Sequence, residues 1–465
     1  MGKKSEYASD YEHILKSDKN CFDAANKFCE GYKQFMDASK TERECVNTII
    51  ELAKKCGYKE FDKNAKSLNA GDKYYVNNRN KAAILITIGK ESLDKGVNFI
   101  ISHIDSPRLD LKPNPMYESD DIAYFKTHYY GGIRKYQWPT VPLSMHGRIF
   151  KADGSFVDIN FGEKDSEPKF VITDLLPHLA EEQNKRTLRE GIKGEELNIV
   201  IGSIPISTED DEVKNAVKEN VLKILYDTYG IKEKDFARAE IEFVPANKAA
   251  DIGFDRSMVA AYGQDDKVCA YPALMAEMEN RNPEKTSVAV FTDKEEIGSE
   301  GNTGMVSEYL FATMEDLADI VDIKVRDCYR NSICLSSDVN SAYDPTFADA
   351  FEKRNASYIN RGVVLTKYTG HAGKSGSNDA SAETMAKIIK LMDDQKVVWQ
   401  IGELGKVDIG GGGTIAKYVS QRNIDTIDLG VPVLSMHSPY ELTSKLDIYH
   451  TYLAYKAFLI NKGEK

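Results

Sequence analysis

Four short apolar runs, spread over the length of the chain, constrain its fold more than any other feature of the sequence. They are Val97–Ile104, Ser287–Phe291, Ser332–Leu335 and Val431–Ser435. Runs of this length without polar alternation are typical of strands that are buried on both faces of a sheet. Helical patterns separate the runs, and strands that alternate with helices predict a mixed, mostly parallel sheet flanked by helices. The predicted fold class is therefore α/β.

The segments around these runs predict helices and one β-hairpin. Apolar residues recur at three- and four-residue steps from about Ser9 to Tyr58, which indicates two amphipathic helices. Lys73–Val76 and Ala82–Ile88, joined by an Asn-rich turn, predict the hairpin. Later helices are predicted over Lys267–Glu279, Met305–Met314, Asp379–Asp393 and Leu446–Leu459.

The character of the sequence changes between about Pro107 and Pro245. Proline, glycine and aromatic residues become frequent, and strand-like pieces such as Phe156–Phe161 dominate, apart from one predicted helix over Asp210–Tyr229. We therefore expect a discontinuous α/β domain over residues 1–106 and 246–465. Residues 107–245 are expected to form an inserted, β-rich second domain.

Charge and composition exclude several classes of function. The net charge of −12 argues against a nucleic-acid or anionic-membrane partner, because both require a basic surface. No run approaches the ~20 apolar residues of a membrane span, and no apolar stretch follows Lys3 and Lys4 as in a signal peptide. The seven cysteines are an odd number without a CxxC pair, which favours reduced thiols and a cytoplasmic location.

Each apolar run ends beside side chains that can bind a metal ion. In an open, mostly parallel sheet, sites form beyond the carboxyl ends of the strands, so these side chains are expected to converge. A fifth acidic segment lies in a loop directly before a predicted helix. The candidate ligands are His103, Asp265, Glu296, Asp338 and His437, with Asp105 and Glu295 close to them in sequence.

The spacing of these residues has a chemical logic. Asp105 lies two residues after His103 and can accept the N–H of the ring nitrogen that does not bind metal. Glu295 and Glu296 are adjacent and point in different directions, so one can bind metal while the other takes a proton from water. The carboxylate of Asp265 has an oxygen for each of two metals. A nitrogen and oxygen ligand set without thiolate suits Zn, Co or Mn.

Each residue alone also has an ordinary structural explanation. His103 or His437 could be a hydrogen-bonded core histidine, and the adjacent glutamates could begin a helix, where the dipole favours them. Asp265 could cap a helix, and Asp338 could form an Asx turn. All of these explanations would have to hold together at the ends of four apolar runs, and that coincidence favours a metal site.

Around these residues the sequence resembles the aspartyl aminopeptidase and vacuolar aminopeptidase I-like family of metallopeptidases. The matching segments are Ser102–Leu109, Asp265–Asp266, Asp293–Ser299, Ser337–Asp338 and Leu434–Ser438, in the family order. The resemblance implies a zinc-exopeptidase-like fold and a homo-oligomer, a tetrahedral dodecamer. It also implies two divalent metal ions per subunit, zinc with cobalt or manganese as alternatives, and peptide substrates with a free N-terminus.

Roles for individual residues follow from the resemblance. Glu295 would be the general base that activates a water molecule. Asp174–Leu179 resembles a motif of the family's inserted domain, so His178 would reach a neighbouring subunit's active site and help to stabilise the tetrahedral intermediate. One metal site would be completed by His103 and Asp338, the other by Glu296 and His437, and both would be bridged by Asp265.

Other functions remain compatible with the same residues. A related metal-dependent carboxypeptidase or N-acyl amino-acid deacylase would keep the site and change the substrate. A non-catalytic assembly protein would be expected to lack a ligand or the base, and none is missing from the sequence. The preferred interpretation is a metalloaminopeptidase that removes the N-terminal residue of peptides.

Overall fold

Two compact units make up the chain in the computed structural model, which describes residues 11–207 and 213–460. The first unit comprises Met1–Asp105, Ala249–Met436 and Glu441–Lys465. The second unit comprises Ser106–Lys248 and His437–Tyr440. The first unit is α/β, whereas the second is built mainly from antiparallel strands.

A nine-stranded sheet forms the centre of the first unit. Within the described residues, five of its eight neighbouring pairs are parallel and three are antiparallel. This confirms the predicted mixed, mostly parallel sheet, and the predicted hairpin forms one of the antiparallel pairs. In spatial order the strands are Lys59–Glu60, Lys73–Asn78, Ala82–Thr87, Ser287–Thr292, Asn98–His103, Ile333–Ser336, Asp425–Gly430, Val363–Thr366 and Trp399–Ile401.

Both faces of this sheet are buried. Ile100 and Leu335 belong to one apolar core, whereas Ile101 and Cys334 belong to another. Successive residues of a strand point to opposite faces, so a strand covered on both sides is expected to be mostly apolar. The helices of the unit are Ile14–Ser17, Cys21–Ala38, Glu42–Lys55, Gln264–Glu279, Tyr309–Ile320, Val325–Arg330, Ala382–Asp394, Ala416–Ser420 and Lys445–Ile460.

Three central strands of the sheet end side by side. Asn98–His103 pairs in parallel with Ser287–Thr292 on one side and with Ile333–Ser336 on the other. The register places Thr292 opposite His103, the last residue of its own strand. Because parallel strands share one direction, the residues that follow these three strands meet at the same edge of the sheet.

The fourth predicted strand is wrong in its bounds. The sheet strand is Asp425–Gly430 rather than Val431–Ser435, and Pro432–Val433 pairs with Asn340–Ser341 in a separate two-stranded sheet. Asp428 is buried inside the true strand and interrupts the apolar pattern that would have indicated it. The proline of the shorter pair has no N–H and cannot occupy the interior of a sheet.

Two helices begin later than predicted. Tyr309–Ile320 replaces the predicted Met305–Met314, because the preceding residues form turns in which the Ser307 N–H donates to the Gly304 carbonyl at 3.1 Å. Ala216–Tyr229 occupies the C-terminal part of the predicted helix from Asp210, and residues 208–212 lie outside the described part of the chain. The predicted start of the first helical segment, Ser9, also lies outside it.

A seven-stranded sheet forms the second unit, and all of its described pairs are antiparallel. Trp138, Phe125 and Phe243 are buried in this unit, whereas Leu175 and Leu179 are exposed. Its long helix is Ala216–Tyr229 and its shorter one is Glu181–Asn184. In spatial order the strands are Phe156–Phe161, Leu143–Phe150, Ala239–Pro245, Arg108–Ser119, Ile122–Tyr130, Asn198–Gly202 and Val171–Ile172.

All seven cysteines are free thiols, and all except Cys56 are buried. In the described ranges, 11–207 and 213–460, no helix combines the length and the apolar character needed to cross a membrane.

Candidate metal centre

Five acidic or imidazole side chains of the first unit gather near the edge where the three parallel strands end. They form two overlapping groups of three, and within each group one ligand atom per residue lies within 4.8 Å of the others. His103 belongs to both groups, with Asp265 and Glu296 in one and with Asp266 and Asp338 in the other. Four of the five predicted ligands are therefore brought together, and Asp266 joins them.

The fold fixes these side chains through strand ends and one helix start. His103 is the last residue of its strand, Asp338 follows a second strand, and Glu296 lies in a short turn after a third. Asp265 and Asp266 lie in the first turn of the helix Gln264–Glu279. These positions confirm the predicted strand-end arrangement for His103, Glu296 and Asp338.

His103 is almost wholly buried, and both of its ring nitrogens face oxygen atoms. Nδ1 lies 3.1 Å from the carbonyl oxygen of Asp105 and 3.4 Å from its carboxylate. Nε2 lies 3.0 Å from the carboxylate of Asp265 and 3.9 Å from that of Asp338. Burial lowers the pKa of His103, but these acceptors outweigh burial and raise the pKa well above its ordinary value. With Nδ1–H directed at Asp105, Nε2 is the nitrogen that can exchange a proton for a metal ion.

Asp105 also organises the turn that carries the two glutamates. Its carboxylate accepts hydrogen bonds from the backbone N–H groups of Glu295, at 3.1 Å, and Glu296, at 3.2 Å. Asp105 is wholly buried, so these contacts are shielded from water. The sequence predicts the contact with His103, whereas the contact with the turn is visible only in the structure.

Sequence reasoning did not identify two further acidic residues of the centre. Glu441 accepts a hydrogen bond from the backbone N–H of Asp265 at 3.0 Å and so holds the start of the helix. Nothing in its sequence surroundings signals this role, because the two residues are 176 positions apart. Asp266 does carry a signal, two consecutive acids before a helix, but helix capping explains that pattern equally well.

The centre concentrates negative charge away from water. Asp266 is wholly buried, and burial together with the nearby Asp338 carboxylate raises the pKa of Asp266 well above its ordinary value. Burial, with the charges of Glu295 and Asp265, also raises the pKa of Asp338 well above its ordinary value. A divalent cation would offset this repulsion, and carboxylate and imidazole donors suit Zn, Co or Mn. The residues present therefore fit a metal ion.

Glu295 faces the same cluster but does not belong to either ligand group found in the described residues. Its carboxylate lies 4.0 Å from Nε2 of His103, and its side chain keeps 18% of its surface exposed. A carboxylate that reaches both the cluster and solvent is placed to exchange a proton with a water molecule.

The other two predicted site residues, His437 and His178, lie in the second unit. Nδ1 of His437 lies 2.8 Å from the carbonyl oxygen of Gly132, so Nδ1 carries the proton and Nε2 the lone pair of the neutral ring. His178 is exposed in the short helical turn Pro177–Leu179. Neither histidine belongs to the ligand groups found in the described residues.

Almost the whole chain is similar in sequence to known proteins. Residues 35–459 match the family model described as aminopeptidase I zinc metalloprotease (M18). The probable M18 family aminopeptidase 1 of Clostridium acetobutylicum is 48% identical over 463 residues, which cover 96% of this chain and 99% of the relative.

Solved structures show the same fold. An M18-family aminopeptidase from Thermotoga maritima matches with a TM-score of 0.93 and 42% identity, covering 97% of this chain and 99% of that one. The mApe1 dodecamer of S. cerevisiae matches with a TM-score of 0.74 and 22% identity, covering 94% and 97% of the two chains. At the lower identity the likeness concerns the fold alone.

Proposed function

Because the chain belongs to the M18 family of zinc metalloaminopeptidases, we propose that it removes the N-terminal residue of peptides with two divalent metal ions and a glutamate base. The observation that carries this proposal is the convergence of His103, Asp265, Glu296 and Asp338 beside three parallel strand ends. Zinc is the metal that the family name gives, and the nitrogen and oxygen donors also accept cobalt or manganese.

The two ligand groups share His103, and this shared residue determines how we assign the ligands to the two ions. Nδ1 of His103 is engaged by Asp105, so the ring has one nitrogen, Nε2, for one ion. We assign that ion to His103 and Asp338, whose carboxylate lies 3.9 Å from Nε2. We then assign Glu296 to the second ion.

A histidine and a shared carboxylate complete this assignment. His437 is assigned to the second ion, and its contact with Gly132 supports the role because Nε2 keeps the lone pair. Asp265 is assigned to both ions, since its carboxylate has two oxygens and its backbone N–H is held by Glu441. A buried, anchored carboxylate loses little conformational freedom when it binds.

Glu295 is assigned the proton-transfer step. When bound, the two metals lower the pKa of a water molecule and polarise the scissile carbonyl. Glu295 takes the proton of the attacking water and passes it to the leaving amine. Asp105 keeps this base in place through the backbone N–H of Glu295. The surplus of carboxylates attracts the positively charged α-amino group of a peptide, which favours removal of its first residue.

A panel of aminoacyl-arylamides tests the proposed function. The panel carries Asp, Glu, Leu, Met or Lys, each with a free or an acetylated amine, and C-terminally free dipeptides are added. Each substrate is incubated with the protein as purified, after chelation, and after addition of Zn, Co or Mn. We expect hydrolysis of free-amine substrates that chelation abolishes and metal restores, because the metals activate the water.

The same panel separates the proposal from its alternatives. Hydrolysis of acetylated substrates alone would identify a deacylase, and release of C-terminal residues would identify a carboxypeptidase. Stoichiometric metal without hydrolysis of any substrate would favour a non-catalytic assembly protein. The ranking of the five side chains gives the preference for acidic or neutral N-terminal residues.

We further propose that residues 107–245 form an oligomerisation domain and that the active protein is a tetrahedral dodecamer. The support is the group of exposed leucines around His178 in the second unit, since clustered exposed apolar side chains mark interaction surfaces. The mApe1 relative is a dodecamer. In such an assembly His178 would act in the active site of a neighbouring subunit. The exposed leucines are Leu175, Leu176 and Leu179, which lie within three residues of His178 in the sequence.

Substitution of His178 tests this role. His178→Phe should lower turnover while metal content and oligomer size, measured by mass spectrometry and light scattering, stay unchanged. His128→Phe, at another exposed histidine of the second unit, is the matched control. Normal turnover in His178→Phe would contradict the role in a neighbouring active site.

We also propose a cytoplasmic location. The support is the set of seven free thiols, because an oxidising compartment favours disulfides. Fractionation of cells that express the tagged chain, with thiol labelling before lysis, would test it.

A further inference from the structure

Asp266 is a buried carboxylate that the proposed set of five ligands does not use. It is wholly buried, and no N–H or O–H group of residues 11–207 and 213–460 donates a hydrogen bond to either of its oxygens. The Cys269 thiol, one turn along the same helix, is near the carboxylate, but a thiol is a weak donor. Buried carboxylates are normally satisfied by donors, so this one requires a physical explanation.

The neighbours of Asp266 make its burial less favourable in free energy. A ligand oxygen of Asp266 lies within 4.8 Å of ligand atoms of His103 and Asp338. The carboxylate of Asp338 repels it, and burial removes the water that would screen the repulsion. Two carboxylates beside one imidazole in a dry site are the arrangement that a bound cation stabilises.

Another buried aspartate of the first unit shows what a structural role looks like. Asp447 is also wholly buried, but its oxygens accept the backbone N–H groups of Asn360, at 2.6 Å, and Gly362, at 2.8 Å. Asp447 thus ties a loop to the start of the last helix. Asp266 makes no comparable contact among the described residues, so loop anchoring does not account for it.

We propose that Asp266 is a further metal-facing carboxylate, directed at the ion that His103 and Asp338 hold, and that it sets the affinity of that site for a divalent cation. This inference rests on the proposed two-metal function. Its physical basis is charge: a negative group in addition to Asp265 and Asp338 strengthens the binding of a dication beside His103. Burial of Asp266 beside Asp338 destabilises the fold when no metal is bound, because no N–H or O–H group of the described residues donates to the Asp266 carboxylate.

Two measurements on Asp266→Asn test the inference. In calorimetric titration of metal-depleted protein with Zn²⁺, the dissociation constant of one site should rise roughly 10- to 100-fold, as for other groups that support a metal. In the metal-free protein the unfolding temperature should rise by about 2 °C or more, because a buried carboxylate without an N–H or O–H donor has been removed from beside Asp338. A merely structural residue would not produce these opposite changes.

Asp447→Asn is the matched control. It removes an equally buried carboxylate that has donors, so the metal-free unfolding temperature should fall while Zn²⁺ affinity stays unchanged. Wild-type Zn²⁺ affinity in Asp266→Asn, or a lower metal-free unfolding temperature, would overturn the inference, and failure to fold without metal counts as the latter. If the wild-type protein binds no Zn²⁺, the proposed function fails instead, which keeps the two failures distinguishable.

Discussion

Two clusters in the described part of the first unit contain imidazole and acidic groups at metal-binding distance, and the histidines of the two clusters differ in one hydrogen bond. The first is the candidate metal centre around His103. The second consists of Asp18, Cys21 and His450, whose ligand atoms also lie within 4.8 Å of one another. Both histidines are 1% exposed, so burial does not distinguish the clusters.

The two histidines use Nδ1 in opposite ways. Nδ1 of His103 faces the oxygens of Asp105 and therefore donates, which leaves Nε2 for a metal. Nδ1 of His450 instead accepts the backbone N–H of Val398 at 3.1 Å. Burial lowers the pKa of His450 to about 4, so the ring is neutral at pH 7 and carries its proton on Nε2. His450 has no nitrogen lone pair left for a metal.

The remaining members of the second cluster reinforce this difference. The thiol of Cys21 donates to the carbonyl oxygen of Asp18 at 3.3 Å. Burial raises the pKa of Cys21 to about 11, so the thiolate that binds metals is not formed at neutral pH. The side-chain types and the distances of a cluster are thus insufficient to identify a metal site. The direction of the hydrogen bond at the second ring nitrogen decides.

Removal of each imidazole should give the largest difference in metal content between the two clusters. His103→Ala should lose one equivalent of metal and reduce hydrolysis to the background of the assay, because the ion held by His103 and Asp338 loses its only nitrogen ligand in the proposed set. His450→Ala should keep the full metal content. Elemental analysis after gel filtration measures both.

The opposite results for His103→Ala and His450→Ala would contradict the comparison. A loss of one metal equivalent in His450→Ala would make the second cluster a metal site and refute the hydrogen-bond argument. Full metal content in His103→Ala would remove His103 from the ligand set.

Much of the first unit follows from its sequence, because strands buried on both faces are expected to be mostly apolar. Asn98–His103, Ser287–Thr292 and Ile333–Ser336 were identifiable on that ground. Asp425–Gly430 was not, because it contains the buried Asp428, which accepts the hydroxyl of Thr414 at 2.8 Å. A tertiary partner can make a polar strand residue acceptable, and a local pattern does not reveal such a partner.

The candidate metal centre was likewise predictable only in part from the sequence. His103, Glu296 and Asp338 stand at strand ends, and the α/β rule of site position brings them together. Asp266 and Glu441 were missed because a capping residue and a buried acceptor differ only in their three-dimensional neighbours. The opposite roles of His103 and His450 were equally inaccessible, since they depend on the backbone groups that face each ring.

Substitution of the proposed base sharpens the distinction between a metal site and a hydrolytic site. Glu295→Gln should lower kcat by about 10²- to 10⁴-fold, the usual contribution of a general base. Metal content should stay unchanged, because Glu295 lies outside both ligand groups of the described residues. Glu300→Gln, an exposed change nearby in sequence, serves as the control. An active Glu295→Gln protein would refute the base assignment.

The carboxylate that lies 3.4 Å from Nδ1 of His103 can be altered while the ligands and the backbone carbonyl of Asp105 are kept. Asp105→Asn should weaken Zn²⁺ binding by roughly 10- to 100-fold, because the amide is a weaker acceptor for Nδ1–H and holds the Glu295 turn less firmly. The effect should be smaller than that of His103→Ala, since the ligand itself remains. Titration calorimetry measures it, and an unchanged affinity would mean that the carboxylate of Asp105 does not govern metal binding and that its backbone carbonyl is a sufficient acceptor for Nδ1–H.

The smallest effect concerns His450, whose neutral ring makes stability depend on pH. Its folded pKa of about 4 lies below its unfolded value of about 6.5, so the unfolded chain binds the extra proton in between. Stability from this group is therefore complete above pH 6.5 and is lost as the pH falls towards 4, by up to about 3 kcal/mol.

His450→Asn removes this titration and keeps an acceptor for the Val398 N–H. Its deficit in unfolding free energy relative to the wild type should therefore shrink between pH 6.5 and 4, measured by urea unfolding of the metal-free proteins. Other titrating groups cancel in this difference. A constant deficit in unfolding free energy would mean that burial does not lower the pKa of His450. The contrast with His103 would then lose its electrostatic basis.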